Sequence, residues 1–130
     1  MIEKAKTILL LDDEKMLLEL YRNSFEKHGY EVGTCTDVDD ALSALRGGFD
    51  PDVILFDITM PDSKSGYEFI ETVKREGLAK NALRVALTNE GQEAEQTRMK
   101  ELGAHAHLLK AKYIPSEVVA KVEEMLQLKA

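Results

Sequence analysis

Five polar residues far apart in the chain share one local context. Asp12 and Asp13 follow the apolar run "TILLL", Asp57 follows "DVILF", Thr88 closes "LRVALT" and Lys110 follows "AHLL". Three carboxylates, a hydroxyl and an ammonium thus stand at the ends of short apolar runs, where a bare carboxylate is costly unless it is paired. Unit charges ~4 Å apart repel by about 4 kcal/mol at an effective dielectric of 20. A hard dication relieves this, and Mg²⁺ takes a few carboxylates while keeping several waters. The formal charges of three carboxylates, one Mg²⁺ and Lys110 cancel, leaving a neutral site ready to receive a phosphoryl group. Asp57 is the candidate nucleophile, because an aspartate can attack phosphorus to give an aspartyl-phosphate. Lysine and metal would screen the oxygens of the transferring group. Thr88 would donate its hydroxyl to one of them.

The elements that must bring these residues together are legible in the same runs. Five strands are predicted: Thr7–Leu11, Tyr30–Cys35, Asp52–Phe56, Leu83–Thr88 and Ala106–Leu109. The first, third and fourth are near-continuous apolar runs, as parallel strands covered on both faces require. Helical spacing lies between them. Met16, Leu17, Leu20, Tyr21 and Phe25 mark the first helix, which His28-Gly29 can end; Val38, Ala41, Leu42 and Leu45 mark the second; Phe69, Ile70 and Val73 mark the third. Val118, Val119, Val122, Met125 and Leu126 mark the last, with Pro115 near its start. The fourth, "GQEAEQTRMKELG", is weak: only Ala94, Met99 and Leu102 are apolar, with Met99 off the stripe of the other two. So little to bury predicts loose docking. Alternating strands and helices with short loops imply one α/β domain over 1–130, a doubly wound parallel sheet with helices on both faces. Ligands bind such sheets at the carboxyl ends of the strands.

The pattern resembles the receiver domain of two-component response regulators over nearly the whole chain. In "LLLDDE" Asp12 and Asp13 match the family's Mg²⁺-holding acids. In "VILFDITMP" Asp57 matches the phosphoacceptor, and Thr59 the position whose backbone carbonyl also meets the metal. "ALTN" supplies Thr88 as the switch hydroxyl, and "GAHAHLLK" supplies Lys110. The resemblance implies a flavodoxin-like (βα)5 fold with strand order 2-1-3-4-5. It implies a Mg²⁺-dependent phosphorylation switch charged by a sensor histidine kinase or a histidine phosphotransfer protein. The face formed by the fourth helix, fifth strand and fifth helix would regulate an unnamed protein partner, the chain being a monomer or weak dimer through that face. Self-catalysed phosphoryl acceptance and autodephosphorylation would be its only chemistry, so it is not expected to be an enzyme.

Three departures from the family pattern stand out. Gly66 lies nine residues after Asp57 where eight is usual, so the 61–66 loop is one residue longer. Lys110 is followed by Ala111 instead of proline, for which a cis bond would cost about 2.5–4 kcal/mol. His107 fills the place of the Tyr or Phe ring that swings inward when the switch hydroxyl engages phosphate. These departures keep open an alternative, a phosphate-independent pseudo-receiver that only binds partners.

Plainer roles exist for each residue. Asp12 or Asp13 could cap the first helix, and Thr88 could cap the fourth; Lys110 alone would read as a solvated lysine. Asp57 has fewer such readings, because Asp62 or Ser63 offers a better cap for the third helix. Met60-Pro61 reads as a turn away from the site. The histidines lack ligand spacing with one another and with Cys35, which argues against zinc. A net charge of −7 without a basic run predicts no direct contact with nucleic acid or anionic membrane. The single cysteine precludes an internal disulfide and suits a reducing compartment. With no apolar run long enough to span a bilayer, a cytoplasmic protein is expected.

Overall fold

The computed structural model describes residues 5–60, 64–89 and 93–129. Strands and helices alternate strictly: β1 Thr7–Leu11, α1 Lys15–Lys27, β2 Glu31–Cys35, α2 Val38–Arg46, β3 Val53–Asp57, α3 Gly66–Glu76, β4 Leu83–Thr88, α4 Glu93–Leu102, β5 Ala106–Leu109 and α5 Pro115–Lys129. The strands form one parallel sheet in the order β2-β1-β3-β4-β5. This is the predicted doubly wound fold.

Strand alternation divides the core into two layers. Leu9, Leu11, Ile54, Phe56 and Ala86 face α2, α3 and Met99 of α4. Ile8, Leu10, Val53, Leu55 and Val85 face Leu18, Tyr21 and Phe25 of α1 and Val118, Val119 and Val122 of α5. Covering both faces is what makes β1 and β3 read as unbroken apolar runs, and all five residues of β3 are buried.

Four expectations shift. The buried stripe of α1 is Leu18, Tyr21 and Phe25, while Met16 and Leu20 are 82% and 51% exposed. Apolar residues surround much of this helix, and the two large rings decide which side turns inward. In α4 the buried residue is Met99, and Ala94 is exposed. One long flexible side chain reaches the core where the alanine cannot. β2 begins at Glu31 because Tyr30 turns into the core, edge-on to Phe25 at 5.1 Å. β3 is displaced by one residue, and the Asp52 carboxylate instead accepts the N–H of Thr7 at 2.9 Å.

Local signals open α2 and α3 as their residues dictate. Asp37 caps α2 by accepting the N–H of Asp40 at 2.8 Å. Ser65, not Asp62 or Ser63, caps α3, accepting from Glu68 at 3.3 Å; Pro61, Asp62 and Ser63 lie outside the described residues. Met60 is buried in the core layer under α2 and α3.

Candidate functional site

The parallel register places the strand ends side by side. Leu11 lies opposite Phe56, Asp57 opposite Leu87, and Thr88 opposite Leu109. Asp12, Asp57 and Thr88 are the buried polar or charged residues among those described. One ligand oxygen each from Asp12, Asp13 and Asp57 falls within a cluster no wider than 4.8 Å.

Lys110 closes the cluster. Its side chain is only 6% exposed, with Nζ 2.9 Å from Asp12 Oδ2 and 3.0 Å from Asp57 Oδ2. The Asp57 contact is a hydrogen bond. The Asp12 contact is an ion pair to a buried carboxylate oxygen. Burial alone would lower the Lys110 pKa, but Asp12 and Asp57 outweigh it and hold the ammonium above its ordinary range. The backbone does not need proline to aim this side chain. The described residues contain no cis peptide, so Lys110–Ala111 is trans, and the Lys110 N–H donates to the Thr88 carbonyl at 2.8 Å.

Asp57 is held from its other side by the Thr59 N–H, which donates to Oδ1 at 3.1 Å. Burial pushes its carboxyl up to about 6, against the pull of Lys110, with Asp12 adding to the rise. At neutral pH the group remains mostly ionised. Asp12 uses Oδ1 to accept the N–H of Glu14 at 2.9 Å. Glu14 itself is the N-cap of α1 and makes no side-chain cap bond, so neither Asp12 nor Asp13 serves as the helix cap.

Two buried carboxylates and a half-buried third carry more negative charge than one ammonium balances, and all of the donor atoms are hard oxygens. Asp12, Asp13 and Asp57 therefore fit a small divalent cation, with water completing its shell.

Three neighbours escaped the sequence reading. Glu14 Oε1 stands 3.7 Å from Lys110 Nζ; the acidic run signalled it, but not its direction. Tyr21 is buried beneath the site, its phenol pushed up to about 12 by burial, with Lys110 opposing and Asp12, Asp57 and Glu14 adding. Gly66 packs directly on the backbone bearing Asp57: a Cβ there would come 2.4 Å from the Asp57 carbonyl oxygen. His107 sits on β5 opposite Ala86, half-buried; burial and Lys100 lower its pKa while Glu95 opposes them. Asn89 is exposed, and Glu90 lies outside the described residues.

Comparison with known proteins agrees with this geometry. The family model for the response regulator receiver domain matches residues 8–123. The phosphate regulon transcriptional regulatory protein PhoB of Escherichia coli is 32% identical over 123 residues, covering 95% of this chain and 52% of that protein. Response regulator SaeR of Staphylococcus aureus is 31% identical over 119 residues, covering 92% of this chain and 50% of that protein. The chain spans about half the length of these curated relatives. Among solved structures, the Vibrio cholerae chemotaxis response regulator CheY4 superposes with a TM-score of 0.83 at 27% identity, over 95% of this chain and 99% of that one. A CheY-like receiver domain protein from Methanospirillum hungatei gives 0.84 at 25% identity, over 97% of each chain. With its sheet order, its acid cluster and this match over most of its length, the chain belongs to the receiver domain family of two-component response regulators.

Proposed function

We propose that this domain is a phosphorylation-dependent signalling switch in which Asp57 accepts a phosphoryl group from the phosphohistidine of a sensor kinase or phosphotransfer protein. The supporting observation is the convergence of Asp12, Asp13 and Asp57 on one cluster, with Lys110 bridging two of them. In the transfer, an Asp57 carboxylate oxygen bonds to phosphorus as the donor's N–P bond breaks. The carboxylate is poised by the Thr59 amide on Oδ1 and by Lys110 on Oδ2. The three carboxylates and the Thr59 carbonyl would hold Mg²⁺, which would supply charge screening for the transferring oxygens. Lys110 remains protonated throughout and donates to a phosphoryl oxygen. Thr88, buried at the end of β4, donates its hydroxyl to another.

Phosphorylation then shifts populations between pre-existing forms, because Lys110 and Thr88 make those contacts in one form only. Thr88 and His107 are the switch residues, and α4, β5 and α5 present the result to a protein partner, or to a second copy in a weak dimer. The domain works in the cytoplasm and turns over no substrate beyond its own phosphoryl group. No helix among the described residues is long and apolar enough to cross a membrane.

Intact-mass measurement after incubation with Mg²⁺ and acetyl phosphate tests the reading. The parent gains one phosphoryl mass and Asp57→Asn gains none; equal gain in both removes Asp57 as the nucleophile. The pseudo-receiver alternative, motivated by His107, Ala111 and the longer 61–66 loop, predicts amide shifts indifferent to Mg²⁺.

A further inference from the structure

Packing alone holds α4 weakly. Among its residues with described side chains only Met99 is buried, with Leu102 half-buried beside it. Two polar ties to α3 supplement it. The Arg98 guanidinium carbon lies 4.0 Å from the centre of the Tyr67 ring, a cation–π geometry. Lys74 Nζ donates to the Glu101 carbonyl at 3.2 Å.

The first of these ties leads back to the site. Tyr67 directly follows Gly66, the residue with no clearance from the Asp57 backbone. A Cβ at Gly66 would meet the Asp57 carbonyl oxygen at 2.4 Å and Ile58 Cα at 2.6 Å, and the Gly66 N–H donates to the Ile58 carbonyl at 2.9 Å. Close-packed atoms transmit displacement instead of absorbing it. Any movement of the Asp57 backbone toward α3 therefore carries the first turn of that helix with it, Tyr67 included.

We propose that Tyr67 and Arg98 couple the phosphorylation state of Asp57 to the position of α4, as positioning residues acting alongside Thr88 and His107. The coupling rests on the phosphorylation switch proposed above. Two features of this chain give the tie weight. A helix with one buried anchor draws a large share of its orientation from each remaining contact. His107, in turn, offers less apolar area for inward packing than the Tyr or Phe usual in the family, so the β5 route has less to gain.

The test follows the amide shifts of Thr97 to Leu102 in the full chain before and after addition of Mg²⁺ and beryllofluoride. The parent is compared with Tyr67→Leu, Arg98→Ala, Arg98→Lys and the Tyr67→Leu/Arg98→Ala double variant. Intact mass after acetyl phosphate reports the Asp57 chemistry separately, and amides of α1 and α5 report the fold. The two truncating variants still gain the phosphoryl mass, but their α4 shift change falls to roughly half of the parent's or less, and the double variant loses no more than either single one. Arg98→Lys, which keeps the cation, retains more of the response than Arg98→Ala. A full-sized α4 response in both truncating variants overturns the coupling. A parent that gains phosphoryl mass while its α4 amides ignore beryllofluoride overturns the coupling and leaves the phosphoacceptor standing. A parent that gains no mass removes the switch and the coupling together.

Discussion

β3 and α4 meet in one core layer and are built on opposite terms. Every residue of β3 is buried, and its last residue, Asp57, is fixed by neighbours on three sides: Lys110, Thr59 and Gly66. Among its described side chains, α4 contributes one buried methionine and a half-buried leucine, and otherwise rests on polar ties. The contrast suits the division of labour proposed here. A nucleophile must sit within a fraction of an ångström of its working position, so it belongs on the least deformable element. A reporter must change position for a few kcal/mol, so it belongs where few contacts have to be exchanged.

Truncating each element should expose the difference. Phe56→Ala removes a fully buried β3 ring that packs on Phe69 of α3 at 5.4 Å. It should cost about 3–5 kcal/mol in urea unfolding. Met99→Ala should cost about 2 kcal/mol, near the low end for a buried methionine, because the helix above it can settle into the space. Equal losses in the two variants would mean that α4 is as tightly built as β3.

The electrostatics of the two regions can be separated by pH. The folded Asp57 carboxyl stands near 6 against an ordinary 3.8, so the native state binds the proton more tightly than the unfolded chain does. That contribution is fully present below pH 3.8 and is lost as pH rises through about 6. In buffer free of divalent cations, Asp57→Asn should therefore be more stable than the parent at pH 7, by roughly 1–2 kcal/mol after allowance for solvent screening and the loss of a Lys110 partner. The gain should vanish near pH 4. An advantage that does not depend on pH would show that burial of the charge is not its source.

The smallest effect concerns the start of β5. His105 donates its N–H to the Arg84 carbonyl at 2.8 Å and accepts the Arg84 N–H on Nδ1 at 2.9 Å, which requires the neutral ring. Burial, Arg84 and Lys129 all lower its pKa below the ordinary 6.5. The stability from this clasp is present above pH 6.5 and is lost as pH falls through the lowered value. In His105→Asn the side-chain oxygen still accepts, and the Arg84 amide shift should lose its dependence on pH across that window. An unchanged profile would assign the titration to another group.

Much of the fold was written in periodicity. Unbroken apolar runs at β1, β3 and β4, and the spacing of Val38, Ala41, Leu42 and Leu45, had one economical solution each, and the structure adopts them. The first helix had two solutions. Met16 and Leu20 are as apolar as the leucine that is buried, and only the fit of Tyr21 and Phe25 against β1 and α5 chose between them. The site was similarly divided. That Asp12, Asp13, Asp57, Thr88 and Lys110 end up on one rim follows from each standing at a strand's carboxyl end, which is a property of order along the chain. The approach of Glu14 to Lys110, the burial of Tyr21 beneath the acids and the contact of Gly66 with the Asp57 backbone join residues from separate elements. Such contacts depend on how far each helix is rotated and how closely it lies on the sheet, and those quantities are set only when all the side chains of a layer are packed at once.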